Sequence, residues 1–134
     1  MIYIDTGAFL ARYLSKDQYH RQARDFWDII RKKNEKCVTS NFVLDETFTL
    51  LGRRAGCSFA AERARNMYAS ESLQILRPSR EDELEAIGFF EKYSDHPLSF
   101  TDCVSFVLMK IHKIKRVFTF DHHFHLAGFQ IYPR

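Results

Sequence analysis

Four acidic side chains from separate quarters of the chain have the types and spacing to do chemistry together: Asp5, Glu46, Asp102 and Asp121. Carboxylates gathered in one pocket repel one another, and a divalent cation makes such a cluster tolerable. An all-oxygen ligand set favours Mg²⁺ or Mn²⁺ over zinc. Ions of that kind activate water and stabilise the leaving oxygen when a phosphodiester is cleaved. The question is whether the fold brings the four acids together.

Asp102 lies in the first turn of the most apolar stretch of the chain, SFTDCVSFVLMKIHK. Within residues 104–111 only Ser105 and Lys110 are polar, which predicts a helix covered on nearly every face. Ser99 can cap this helix with Asp102 as its N3 partner. When Asp102 is considered alone, the capping role is enough to explain it. The other three acids suggest a second role, as part of a shared acidic site.

Asp5 and Asp121 each directly follow a short apolar segment predicted as a strand, residues 2–4 and 117–120. In an open parallel sheet, ligands bind beyond the carboxyl ends of the strands. If the two strands are neighbours, both carboxylates reach one crevice. The helix that begins near Asp102 feeds the second of these strands, so its first turn can reach the same place.

Helical periodicity in FVLDETFTLLGRR favours Glu46 over Asp45 as the partly buried acid. Glu46 lies at the edge of the apolar arc, with Phe42, Val43 and Leu50 as its nearest apolar neighbours. Asp45 points further out.

Strands alternate with helices along the whole chain, with no repeat, linker or low-complexity segment. The sequence therefore predicts a single α/β domain over residues 1–134 with a mainly parallel sheet. Strands are predicted at 2–4, 37–39, 73–76, 117–120 and 129–132, and helices at 8–14, 19–33, 42–54, 60–69, 80–93 and 99–113.

Composition sets the class of protein. A chain of 134 residues with 46% hydrophobic residues suits one globular domain. The three cysteines form no CxxC pair, so we expect reduced thiols in a cytoplasm. The first residues lack the basic region of a signal peptide, and no apolar run approaches membrane-spanning length. A net charge of +3 permits a polyanionic partner without requiring one.

Four segments together resemble the PIN-domain ribonucleases, at the size of the VapC-type toxins of prokaryotic toxin–antitoxin pairs: IDTGAFLA, SNFVLDETFTLL, LSFTDCVSFVLMK and VFTFDHHF. They follow the family's order and usual distances. The resemblance implies a three-layer PIN-like fold, with a sheet in order 3-2-1-4-5 flanked by helices. It also implies an Mg²⁺- or Mn²⁺-dependent endoribonuclease whose catalytic and metal-binding residues are Asp5, Glu46, Asp102 and Asp121.

The same resemblance implies supporting roles for three threonines. Thr6 and Thr101 would lie at or next to the metal ligands, and Thr119 would support Asp121 from below. It further implies a small antitoxin whose C-terminal segment lies across the acidic groove and inserts an arginine or an apolar anchor.

The sequence departs from the family pattern after Asp121. Many relatives carry a second aspartate shortly after this position, whereas here His122 and His123 precede Phe124. The change predicts a weaker second metal position. His123 is either a replacement ligand for Mn²⁺ or a solvated turn residue, and both histidines are candidates for contacting substrate phosphate. With His125 they also suggest zinc, although no cysteine or HxxxH pair accompanies them.

An acidic pocket that accepts RNA needs positive charge at its rim. Arg53 and Lys110 are the residues we predict to contact substrate there, among a basic group that also includes Arg54, Lys113, Lys115 and Arg116. The alternative is that these residues form an ordinary solvated surface.

The resemblance also implies a homodimer formed through the early helices. Phe26, Trp27 and Ile30 suit such an interface, and core packing explains them equally well.

A second class of function stays open, a PIN-like module that binds RNA or protein with weak or no nuclease activity. The His122-His123 departure favours it, and the retention of four acids opposes it. Asp5-Thr6-Gly7 also matches the triplet of aspartic proteases, but a helical sequence follows it here. An aspartyl phosphatase normally needs a second aspartate at position 7, where this chain has glycine.

Overall fold

Five short parallel strands form the central sheet of the computed structural model, which describes residues 1–134, and their order is β3-β2-β1-β4-β5. In chain order the elements are β1 Ile2–Ile4, α1 Thr6–Tyr13, α2 His20–Lys32, β2 Cys37–Ser40, α3 Asn41–Ala55, α4 Cys57–Ala69, β3 Leu73–Leu76, α5 Arg80–Lys92, α6 Phe100–Ile111, β4 Arg116–Phe118, a 3₁₀ helix His122–Ala127, and β5 Gln130–Tyr132. The predicted α/β class and strand order are confirmed.

The strand β1 occupies the middle of the sheet and is completely buried. Tyr3 pairs with Val38 of β2 on one side and with Val117 of β4 on the other. The chain leaves β1 towards β2 and β3, and leaves β4 in the opposite direction towards β5. A ligand cleft is expected where the connections that follow two neighbouring parallel strands lead in opposite directions.

Helix α6 is the most buried helix, because residues 102–109 are all buried. Its start matches the predicted capping box. The Ser99 hydroxyl accepts a hydrogen bond from the backbone N–H of Asp102, and the Asp102 carboxylate accepts one from the backbone N–H of Ser99. The cap fixes the first turn of α6, and therefore Asp102, relative to the chain before it.

Several predicted boundaries shift by one to three residues. Strand β4 ends at Phe118 rather than at 120, and the Thr119 hydroxyl after it bonds with Asp5 and the backbone N–H of Asp121. Helix α1 begins at Thr6 rather than at 8, with Asp5 at its N-cap position. None of the helices combines the length and the apolarity needed to cross a membrane.

The residues predicted for a dimer interface in the early helices belong to the core instead. Phe26 and Ile30 are buried, and the Phe26 ring packs edge-on against Phe118 at 4.7 Å. Trp27 lies between Phe9 and Phe118. These side chains attach α2 to the sheet, and of the three only Trp27 remains partly exposed.

Candidate active site

A cleft of about 580 Å³ lies at the carboxyl ends of β1 and β4, and all four predicted acids line it: Asp5, Glu46, Asp102 and Asp121. They come from four different parts of the fold, namely the ends of β1 and β4, helix α3, and the first turn of α6. The structure thus brings the four predicted acids together at the point where the connections after β1 and β4 lead in opposite directions.

Asp5 is the most deeply buried of the four acids. Its Oδ2 accepts a hydrogen bond of 2.8 Å from the Thr119 hydroxyl, and its backbone N–H donates to the carbonyl of Phe118. Burial first, and then the nearby charge of Asp102, raise the pKa of Asp5 to about 7, against the hydrogen bond from Thr119. A carboxyl in this state takes up a proton near neutral pH unless a cation replaces it.

Asp102 is both a helix cap and a wall of the cleft. Oδ2 accepts the Ser99 N–H at 3.0 Å, whereas Oδ1 takes part in no hydrogen bond within the protein. Burial raises the pKa of Asp102 to about 6, opposed by the Ser99 bonds and reinforced by the charges of Asp121 and Glu46. The cap therefore uses one carboxylate oxygen of Asp102 and leaves the other, Oδ1, without a hydrogen-bond partner in the chain.

Asp121 is held by the turn that follows it. Its Oδ1 accepts the backbone N–H of His123 at 2.9 Å and lies 2.6 Å from Nδ1 of the same residue. Its own backbone N–H donates to the Thr119 hydroxyl at 3.0 Å. A single hydroxyl thus joins Asp5 and Asp121, which places Thr119 between the two acids rather than below one of them.

Glu46 completes the cleft from α3, and it is half buried while Asp45 is exposed, in line with the periodicity of the sequence. No lysine or arginine forms an ion pair with any of the four acids, and Asp121 pairs only with His123. The cluster therefore carries negative charge that the chain does not neutralise.

The other predicted residues divide into those at the cleft and those away from it. Thr6 and His122 line the cleft, and the buried Thr6 hydroxyl has no hydrogen-bond partner. Thr101 does not line it, and its carbonyl accepts the Ser105 hydroxyl instead. Arg53 is exposed and lies seven residues after Glu46, on the same face of α3.

Lys110 lies at the wrong end of its helix for the predicted contact with substrate. It follows Asp102 by eight residues, which is about 12 Å along α6. Its ammonium group lies 5.1 Å from the centre of the Phe89 ring. Lys113, Lys115 and Arg116 continue towards the amino end of β4, because α6 runs antiparallel to the strand that it feeds.

Sequence reasoning missed the loop between α1 and α2. Asp17, Gln18 and Tyr19 turn back to line the acidic cleft, and the Tyr19 ring stacks on Phe120 at 4.5 Å. The backbone N–H of Tyr19 donates to the Asp17 carboxylate. Such an Asx turn is a local signal for a bend, but the direction of the bend depends on packing.

It also missed a second group of cations, of which only Arg54 was named from the sequence. We call the surface formed by Arg12, Lys16, Arg54 and Arg63 the basic groove. Asp17 borders both the acidic cleft and a neighbouring cavity that contains Lys16 and Arg54, and Tyr13 connects that cavity to the surface around Arg12 and Arg63.

Comparison with known proteins agrees with this geometry. The PIN domain family model matches residues 2–130, and the chain belongs to that family. VapC20 of Mycobacterium tuberculosis, named a 23S rRNA-specific endonuclease, is 33% identical over 129 residues, covering 96% of this chain and 95% of its own. The crystal structure of that protein, described as a Sarcin-Ricin loop cleaving toxin, superimposes with a TM-score of 0.87 at 31% identity, over 97% of each chain. A toxin–antitoxin complex from Klebsiella pneumoniae shares the fold at 13% identity, with a TM-score of 0.64 over 99% of this chain and 97% of the matched chain.

Proposed function

We propose that this chain, a VapC-type PIN-domain endoribonuclease, cleaves ribosomal RNA of the large subunit with the help of Mg²⁺ or Mn²⁺. The observation that carries the proposal is the cleft where four acids from four parts of the fold meet without a lysine or arginine partner. A module that only bound RNA would gain nothing from side chains that repel phosphate.

The residues of the cleft fit a hard divalent cation. All four acids offer carboxylate oxygens, and the Thr6 hydroxyl is buried and unpartnered beside them. Asp5, Glu46, Asp102 and Asp121 are the residues that would hold the ion, which suits Mg²⁺ or Mn²⁺ by its all-oxygen donors. When bound, such an ion supplies an activated water and charge stabilisation at the leaving oxygen.

The chain's own contribution is to orient these carboxylates before any ligand arrives. Ser99 fixes Asp102 through one oxygen and leaves the other free. Thr119 fixes Asp5 and the backbone of Asp121, and His123 fixes the Asp121 side chain. Because the side chains are already held in place, binding costs little further ordering.

The basic groove is the surface that we propose for the RNA backbone. The Arg12 guanidinium lies 4.7 Å from the Trp27 ring, and the Arg63 guanidinium lies 4.5 Å from the Phe59 ring. The Arg12 guanidinium has no carboxylate partner, whereas Nη1 of Arg63 donates to Glu62 Oε1 at 3.4 Å, an exposed bond that a phosphate oxygen would replace. Stacked guanidinium groups also offer planes to unstacked bases. The groove approaches the acidic cleft at Asp17, so one strand can occupy both.

The variant Arg63→Gln tests the groove, and Arg65→Gln, which changes an exposed arginine on the same helix, is its matched control. We expect Arg63→Gln alone to raise KM for RNA and to lower the slope of log affinity against log salt by about one. If the slope of log affinity against log salt were the same in both variants, the RNA would bind at another surface.

The choice of ribosomal RNA rests on the similarity to VapC20, which extends over almost the whole of both chains. We also propose a small antitoxin partner, whose cationic side chain would compete for the acidic cleft. A toxin with this substrate would act in the cytoplasm. Co-purification of a short protein encoded beside this one tests the partnership.

A homodimer is a further proposal, and α5 offers an exposed apolar surface for it. Leu84, Ile87 and Phe90 are exposed on α5 and would form that surface. Light scattering of Phe90→Glu should show a monomer if the wild-type chain is a dimer through α5.

The central experiment measures cleavage of a structured RNA panel that includes large-subunit ribosomal RNA, with Mg²⁺, Mn²⁺ or a chelator. We expect Asp5→Asn and Asp102→Asn to lower the single-turnover rate about a thousandfold, roughly 4 kcal/mol of transition-state stabilisation. The exposed Asp45→Asn should cleave like the wild type. If the folded wild type binds RNA but leaves every RNA uncut with either metal, the chain is a binding module.

A further inference from the structure

The turn after β4 places two imidazole side chains beside a carboxylate of the acidic cleft. One ligand atom from each of Asp121, His122 and His123 lies within 4.8 Å of the others. The ring of His96, from the turn before α6, lies 5.7 Å from the His123 ring. No other part of the chain brings three metal-ligating side chains this close together.

The three side chains are arranged by the local backbone. Asp121 is the N-cap of the 3₁₀ helix His122–Ala127 and accepts the backbone N–H of His123. The His123 side chain is only 16% exposed, and the His122 ring lies beside it, with the ring centres 4.4 Å apart and the planes tilted by 31°. His122 also lines the acidic cleft. The imidazoles therefore sit between the acidic cleft and solvent, where an ion can enter.

We propose that Asp121, His122 and His123 form a second metal site, selective for transition-metal ions such as Zn²⁺ or Co²⁺ and sharing Asp121 with the acidic cluster. Imidazole ligands suit Zn²⁺, Co²⁺, Ni²⁺ and Cu²⁺, whereas Mg²⁺ prefers oxygen. Two nitrogens and one oxygen leave a coordination position open for water or another ligand.

Sharing Asp121 gives the site a regulatory consequence, which rests on the proposed function. An ion held by the imidazoles withdraws Asp121 from the acidic cluster, so Zn²⁺ inhibits RNA cleavage that Mg²⁺ supports. Binding of the ion itself does not depend on the chain being a nuclease.

Binding is tested on the metal-free full chain with Co²⁺, whose visible absorption reports nitrogen coordination, and with Zn²⁺ by calorimetry. We expect His122→Gln and His123→Gln each to weaken Zn²⁺ binding at least tenfold and to diminish the Co²⁺ bands. His125→Gln is the matched control, because His125 is exposed in the same 3₁₀ helix but lies outside the cluster. It should bind like the wild type.

Two results would overturn the site. One is equal Zn²⁺ affinity in all three histidine variants. The other is binding that Asp102→Asn abolishes while His122→Gln and His123→Gln leave it intact, since the ion would then occupy the acidic cluster alone. His122 is exposed, so its variant decides the question even if His123→Gln does not fold.

Inhibition is measured separately, as the Zn²⁺ concentration that halves Mg²⁺-dependent cleavage. We expect His122→Gln to raise that concentration at least tenfold. An unchanged value would overturn the regulatory role, even where calorimetry shows the ion bound. If no RNA is cleaved at all, the proposed function fails, whereas the Co²⁺ and Zn²⁺ titrations still decide the metal site.

Discussion

The two ends of the sheet both contain partly buried carboxylates, but only one end supplies its own cations. At the amino end, Glu35 accepts a hydrogen bond from Arg116 and lies 3.4 Å from the amino group of Met1. At the carboxyl end, Asp5, Asp102 and Glu46 have no ion-pair partner, and Asp121 has only His123.

The difference separates a carboxylate that the chain compensates from a cluster that it leaves without lysine or arginine partners. A carboxylate paired within the chain adds to the stability of the fold, because its charge is compensated in the folded state. Uncompensated carboxylates destabilise the fold and await a cation from outside. The following variants probe this contrast at one end or the other.

Apart from replacement of the acids themselves, the largest effect on activity is expected from Thr119→Val, which removes the hydroxyl that joins Asp5 to Asp121 at the carboxyl end. Without this bond, Asp5 loses its orientation. We expect the metal affinity and kcat/KM for RNA to fall between about 10- and 100-fold, as for other groups that orient metal ligands. Titration of the cleavage rate with Mg²⁺ measures both.

Two variants serve as controls. Thr119→Ser keeps the hydroxyl and should restore activity. Thr39→Val removes an equally buried hydroxyl, which donates to the carbonyl of Ile4 rather than to a carboxylate. Thr39→Val should lower the free energy of unfolding by about 1 kcal/mol, as Thr119→Val does, without changing metal affinity. If the two valine variants lose activity equally, Thr119 has only a packing role.

The next effect is a gain of stability in Asp5→Asn without metal. Burial raises the pKa of Asp5 from 3.8 to about 7, so the folded state holds a proton that the unfolded chain releases. The free energy of unfolding of the wild type therefore falls as pH rises from about 4 to 7. Asparagine does not ionise, so Asp5→Asn avoids this fall in the free energy of unfolding. We expect the variant to be more stable than the wild type at pH 8 by on the order of 2 kcal/mol.

Urea unfolding in a chelator at pH 5 and pH 8 measures this difference, which should shrink towards the lower pH. Asp102→Asn should behave similarly over a window ending near its pKa of about 6. Saturating Mg²⁺ should reverse the order, because binding at 100 times Kd adds about 2.7 kcal/mol to the wild type. The exposed Asp45→Asn should show neither effect. A less stable Asp5→Asn at pH 8 would contradict the contrast between the two ends.

The parts of this site that the sequence predicts are those that local signals determine. Asp5 directly follows the buried strand β1, and Asp121 lies three residues after β4. Their place at the end of a parallel sheet follows once the alternation of strands and helices is seen. The capping box identifies where Asp102 stands on α6. Periodicity separates Glu46 from Asp45, since only one side of α3 faces the fold.

The parts that it misses depend on the directions of whole elements. Lys110 shares a helix with Asp102, but the length of α6 carries it to the other end of the sheet. The return of the Asp17–Tyr19 loop to the cleft depends on the stacking of Tyr19 on Phe120, two residues far apart in the chain. Arg12 and Arg63 meet at Tyr13 only because α1 and α4 are brought together.

The smallest effect is expected at the amino end, where Glu35→Gln should lower the stability that Asp5→Asn raises. The glutamine leaves Arg116 and the amino group of Met1 without a counter-charge. Because the Arg116 side chain is 33% exposed, water compensates in part, and we expect a loss of about 1 kcal/mol in urea unfolding at pH 7. Asp28→Asn breaks an exposed pair with Arg31 and should change stability by no more than a few tenths. If Glu35→Gln gained stability, both ends would carry uncompensated charge, and the acidic cleft would no longer stand apart from the rest of the molecule.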